Sequence, residues 1–176
     1  MNETPQQYTQ RILANTEGKD PLRVHQETPR KLAKAIARLE KKQMMRRLQP
    51  GKWSIAEVLA HLADAEIVLS WRLRQIAAEN GATIQAFDQD VWATTFDYAH
   101  RDPKASLAVF RALREANVAM LKALPKDKWD HYGMHQERGK ETLPHLLRMI
   151  AGHDLNHLAQ IESMAKPAGK KRAAAA

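Results

Sequence analysis

Cysteine is missing from all 176 residues, which removes disulfides, thiolate metal sites and a protein thiol nucleophile from consideration together. Any thiol chemistry must then use a thiol carried by a small molecule. Long apolar runs are missing too. No stretch reaches the roughly 20 residues needed to span a bilayer, and the polar start from Met1 to Gln10 lacks the apolar centre of a signal peptide. The default expectation is a cytoplasmic protein with no membrane partner. Neither a glycine-rich phosphate loop, an internal repeat nor a strand pattern of convincing length is present, which argues against nucleotide-binding α/β folds and repeat architectures. What remains has the length of one domain, with 44% hydrophobic and 27% charged residues, an ordinary balance for a globular core.

The net charge of +8 invites a nucleic-acid hypothesis, but its distribution argues against one. Residues 1 to 50 carry 11 basic and 5 acidic groups, residues 51 to 165 carry 13 and 15, and residues 166 to 176 carry 4 and none. Lys31, Lys34, Arg38, Lys41 and Lys42 follow helical spacing opposite Leu32, Ile36 and Leu39, which makes them the solvated face of an amphipathic helix. The end of the chain, Lys170-Lys171-Arg172 and four alanines, reads as a disordered basic tail.

Periodicity predicts an all-α chain. A short helix covers Thr4 to Asn15. Thr28-Pro29 opens a first bundle helix that runs to Pro50-Gly51. Ser54, with Glu57 as its capping-box partner, opens a second that ends near Asn80-Gly81. A long crossover, Ile84 to His100, carries Phe87, Trp92, Phe96 and Tyr98. Asp102-Pro103 opens a third helix whose stripe is Leu107, Phe110, Leu113, Val118, Leu121 and Leu124. The fourth runs from Thr142 to about Met164, with Pro144 in its first turn. The organisation is therefore an N-terminal extension (1–20), a bundle (21–165) and the tail (166–176).

His153 and His157 are four residues apart within or beside the inward arc of the fourth helix, formed by Leu143, Leu146, Ile150, Ile161 and Met164. Side chains at i and i+4 are neighbours on a helix, so the two imidazoles can face one ion. His61 stands at the edge of the second helix's stripe, where it can still line a bundle interior. Taken singly, each of these is an ordinary part-buried histidine. Three neutral imidazoles, however, can hold a transition metal and leave a coordination position open for water or substrate.

Asp154 lies on the arc between the two histidines. It either orients a ligand or acts on metal-bound water, or it accepts a hydrogen bond from a neighbouring helix. Glu57 reads as a cap partner and Asp64 as a solvated carboxylate. Trp71 and Trp92 read as packing residues or pocket walls. His100, His131, His135 and His145 have no spacing that recruits them and read as surface or loop positions.

The run Trp-Ser-Ile-Ala-Glu-Val-Leu-Ala-His-Leu-Ala-Asp-Ala-Glu (53 to 66), followed about ninety residues later by Gly-His-Asp-Leu-Asn-His-Leu-Ala-Gln-Ile (152 to 161), resembles the DinB/YfiT-like superfamily. The similarity covers Pro21 to Ala165, and the segment Phe87 to Trp92 is similar to one found in a branch of the family. The resemblance implies a four-helix bundle with a three-histidine metal site, one ligand from the second helix and two from the fourth, falling here on His61, His153 and His157. It also implies a divalent transition metal, zinc or nickel first and iron or manganese next. The implied activity is metal-dependent hydrolysis or transfer dependent on a low-molecular-weight thiol, and the implied assembly a homodimer. A non-catalytic DNA- or partner-binding bundle is the alternative from another class, and no recognition motif in the sequence supports it.

Overall fold

Four helices form the core of the computed structural model, which describes residues 4–166. They are α2 (Pro21–Ile36), α4 (Ile55–Ala78), α6 (Pro103–Ala123) and α7 (Leu143–Ala165), and α2 and α4 each pack against both α6 and α7. Helix α1 (Pro5–Ala14) lies on α7, and two short helices, α3 (Lys41–Met45) and α5 (Gln89–Thr95), sit in the connections. The expectation for the tail lies, beyond Lys166, outside the described residues.

Side-chain caps set the starts of these helices. Ser54 accepts from the Glu57 amide while the Glu57 carboxylate accepts from the Ser54 amide. Thr142 accepts from the His145 amide, Asp102 from those of Lys104 and Ala105, and Asp20 from that of Leu22. Each cap satisfies donors that the first turn leaves without helical partners. The interior divides into two apolar clusters. One, at the α2–α4–α7 end, is built on Leu32, Leu59, Leu62, Phe110 and Ile161. The other, toward the opposite end of α4, is built on Leu69, Leu73, Ile76, Leu121 and Leu146. The polar groups described below occupy α4 between the two clusters.

The first bundle helix differs from the sequence expectation at both ends. It begins at Pro21 under the Asp20 cap, so Pro29 lies inside it, and it ends at Ile36 well short of Pro50. An internal proline deprives the carbonyl four residues back of its helical donor. That carbonyl belongs to His25, and Arg114 Nη1 reaches it at 3.5 Å from α6. Thr28, next to the proline, donates to Val24 O at 2.8 Å. Lys41 and Lys42 consequently belong to α3 and do not continue the basic face of α2.

A small sheet is the second difference. β1 (Ala82–Ile84) pairs parallel with β2 (Tyr132–His135), which pairs antiparallel with β3 (Gly139–Thr142). Strands of three or four residues are too short to establish a visible alternation. The sheet closes tightly on α4: a Cβ at Gly133 would stand 2.5 Å from Ile84 Cγ1 and 3.0 Å from Ile76 Cγ1. It also buries His135, which had read as a surface residue.

Candidate metal centre

His61 comes from the second turn of α4, and His153 and His157 from successive turns of α7. One ring nitrogen from each lies within 4.8 Å of the other two. The Nε2 atoms of His61 and His153 are 2.9 Å apart, and the three ring centroids are separated by 4.5 to 5.1 Å. His61 is buried and the other two are partly buried. Trp53 packs its ring on His61 at 5.1 Å between centroids, fixing the imidazole from the side away from α7.

Two features suit this set to a divalent transition ion. His157 donates its Nδ1 proton to Gln160 Oε1 at 2.9 Å, so its Nε2 is left with an unprotonated lone pair, as ligating histidines are commonly oriented. His61 turns its Nε2 toward the other rings, 2.9 Å from His153 Nε2, and leaves Nδ1 as a buried polar atom with no hydrogen-bond partner among the described residues. Three nitrogens on one tetrahedral zinc-like ion stand roughly 3.3 Å apart, given metal–nitrogen bonds of about 2.0–2.1 Å. His61 and His153 are near that spacing at 2.9 Å, and the three nitrogens all lie within 4.8 Å of one another.

Electrostatics keep the rings neutral. Burial, followed by the neighbouring His157, pulls His61 down to about 3. His153 is held well below the ordinary imidazole range by burial, then by His157, His61 and Arg114. His157 is lowered by burial, with Gln160 and Asp154 opposing. At neutral pH all three therefore present lone pairs, the state metal binding requires.

The structure ties Asp154 to a neighbouring helix. Its two oxygens receive Arg114 Nη1 at 2.5 Å and Nη2 at 3.3 Å. The same guanidinium donates to Glu66 at 2.9 and 2.6 Å, and Asn117 adds a bond to Glu66 at 2.8 Å. All of these side chains are buried. Asp154 thus anchors the segment between the two α7 histidines to α6 and α4. Asp64, expected in solvent, is instead buried, accepting from the Tyr98 hydroxyl and from Arg101, each at 2.8 Å. Glu57 fills its capping role and also pairs with Arg47.

Arg114, Glu66, Gln160 and Trp53 were missed by the sequence reading. A signal existed for Arg114, which takes an inward position between Phe110 and Val118 in the α6 stripe. Gln160, three residues after His157, was equally legible as an i, i+3 partner.

A cavity of about 320 Å³ opens from the histidines, lined by His61 and His153 at one side and by Leu69, Leu146, Phe87 and Arg72 beyond. Helix α1 covers it with Tyr8 and Ile12. That contact requires glycine at 152, because a Cβ there would stand 2.0 Å from Ile12 O. Asn15 Nδ2 donates to Gly152 O at 3.2 Å, and Arg11 Nη1 donates to Asn156 Oδ1 at 2.9 Å. Trp92 packs between Phe87, tilted at 56°, and Phe96, edge-on at 77°, whereas Trp71 is 64% exposed. His100 is exposed, and His131 and His145 lie half-buried away from the cavity lining. A larger groove, about 850 Å³ between α2 and α6, contains none of the three histidines.

The fold and the open cluster of three imidazoles define a helical-bundle protein with a candidate metal centre at the α4–α7 contact. Residues 25–161 match the model of the DinB superfamily, and the chain belongs to that superfamily. It is 27% identical over 166 residues to YfiT of Bacillus subtilis, covering 93% of both chains. It is 29% identical over 143 residues to a relative from Geobacillus kaustophilus, covering 80% of both. Both relatives are named as proposed metal-dependent hydrolases. The solved structure of Bacillus subtilis YfiT, described as having an unusual four-helix bundle topology, superposes with a TM-score of 0.76 at 23% identity, over 93% of this chain and 88% of that one.

Proposed function

We propose that the protein is a metal-dependent hydrolase acting on a small molecule, with His61, His153 and His157 as ligands of one divalent ion. The observation that carries this reading is the meeting of three neutral imidazoles, two of them lining a cavity, with no fourth protein ligand grouped with them among the described residues. A site closed by four protein ligands is structural, whereas one with three leaves a place for water or substrate. An ion held there supplies an activated water near neutral pH. The chain's own residues do the rest. Gln160 fixes the tautomer of His157, Asp154 and Arg114 hold the turn that carries both α7 ligands, and α1 with the apolar walls limits water entry.

The names of the relatives support hydrolysis. Thiol transfer uses the same site, and in a chain without cysteine the thiol must come from a small-molecule cofactor. One experiment separates the two. Protein loaded with zinc, nickel, manganese or iron is assayed against a panel of chromogenic esters, amides and electrophilic aryl halides, with and without added small-molecule thiols. Metal-dependent turnover without thiol, lost in His157→Ala, supports the hydrolase. Turnover only when a thiol is present replaces it with the transferase. Nucleic acid is outside the proposal because the positive charge lies mainly beyond the residues that build the site.

A further inference from the structure

Arg72 is a buried cation with no carboxylate at ion-pair distance among the described residues. It lies on α4 eleven residues after His61, which is about three helical turns, roughly 16 Å along the axis and within about 20° of the same face. Both residues line the same cavity. Arg72 is only 8% exposed, yet it makes no salt bridge within 4.0 Å among the described residues. Its Nη2 donates to Gln85 O, and its guanidinium lies 5.9 Å from the Phe87 ring centre.

His135 Nε2, 3.5 Å away, is not a useful acceptor. His135 Nδ1 already accepts from the Glu137 amide at 3.2 Å, so in the neutral ring Nε2 carries the proton. Glu141, the carboxylate in the cavity wall, is taken by Arg138 at 2.6 and 3.2 Å. Of the five N–H bonds of Arg72, then, one has an acceptor among the described residues and four have none there. Burial, reinforced by Arg138 and opposed by Glu141 and Glu137, pulls Arg72 down to about 10.

Arg114 shows the other treatment of a buried arginine in this chain, with a carboxylate on either side. A desolvated guanidinium is costly unless paired, and its planar fork matches carboxylate and phosphate oxygens. Leu69, Leu146 and other apolar side chains line the cavity that Arg72 shares with His61 and His153.

We propose that Arg72 receives an oxyanionic group of the substrate, so that the molecule processed at the three histidines is small, apolar along its length and anionic at the end remote from the reacting bond. The position of that group relative to the reaction rests on the metal-site reading. Oxyanion binding by Arg72 does not.

The test uses full-length, metal-free protein, in which no ion competes for the anion. Phenylacetate, hydrocinnamate and phenylbutyrate are titrated by calorimetry beside their neutral amides, with benzylphosphonate as the phosphate-like arm. The expected result is that at least one acid binds about tenfold or more tightly than its amide, with the better of carboxylate and phosphonate naming the group. His157→Ala should retain the preference, and Arg72→Met and Arg72→Lys should lose it. Equal affinity for acids and amides in the parent protein, or no binding by any acid at millimolar concentration, overturns the proposal whether or not the variants fold. Preserved selectivity in Arg72→Met overturns it as well. If acids bind selectively while the protein fails to hold stoichiometric zinc, the oxyanion receptor stands and the metal reading falls.

Discussion

Arg114 joins Glu66 of α4 to Asp154 of α7 through four hydrogen bonds, in a cluster where all three side chains are 1% exposed. The central position of this one cation ties together the helices that carry the three clustered histidines. Removing it leaves two buried carboxylates facing each other without compensation. Arg114→Met is expected to destabilise the fold by about 3–5 kcal/mol, as breakage of buried pairs does, read from the midpoint of chemical denaturation. Asp154→Asn should cost less, because Glu66 remains paired to the guanidinium. Equal stability of Arg114→Met and the parent protein would remove this cluster from the account.

His25 gives the stability a pH dependence of defined sign. Its Nε2 contacts Leu147 O at 3.1 Å, and burial, with Arg114 next, lowers it to about 4. Between that value and the unfolded value near 6.5, the unfolded chain takes up a proton that the folded one refuses. This contribution is therefore complete above pH 6.5 and is lost as pH falls toward 4, by on the order of 3 kcal/mol. Denaturant titrations at pH 7 and pH 5 should show the loss, and His25→Gln should reduce it by His25's share while the lowered His61, His153 and His157 keep theirs. An unchanged slope in the variant would assign the effect to other groups.

Much of this architecture was legible in the residues. The caps at Ser54, Asp102 and Thr142 are short-range chemistry, and the three histidines follow from helical spacing combined with the two paired motifs. The start of α2 was obscured because Thr28-Pro29 is chemically a good helix opening. Only the long-range contact of Arg114 with the His25 carbonyl makes it tolerable inside a helix. The sheet was hidden by the shortness of its strands. Asp64 was misread because its partners, Tyr98 and Arg101, lie 34 and 37 residues away, a separation that periodicity within one helix does not register.

Gln160 orients His157 by accepting its Nδ1 proton. Gln160→Ala is expected to weaken zinc affinity by about 10–100-fold while leaving the fold intact, measured by competition with a chromogenic chelator. Gln160→Glu, which keeps an acceptor for the Nδ1 proton, should restore much of it. Unaltered affinity in Gln160→Ala would show that His157 needs no orienting partner.

The crossover aromatics are divided between two surroundings. Phe87 lines the cavity, whereas Phe96 and Val91 are exposed by half or more, and on α4 Trp71 is 64% and Ile67 47% exposed. A self-matching apolar face of this kind is suited to a two-fold contact. Light scattering behind size exclusion is expected to give twice the 20.0 kDa chain mass, reduced to the single mass in Trp71→Glu with Phe96→Glu. A parent protein of single mass at tens of micromolar would assign the patch to another use.

The central claim is that His61, His153 and His157 hold one metal ion. Protein purified without a polyhistidine tag, stripped with chelator and reloaded with zinc, is analysed for metal by mass spectrometry beside His61→Ala, His153→Ala and His157→Ala. One equivalent per chain in the parent, and well below one in each variant that circular dichroism shows to be folded, is the predicted result. Metal binding should also raise the parent's melting temperature and leave the variants unmoved. Equal, stoichiometric zinc in the parent and all three folded variants would contradict the claim.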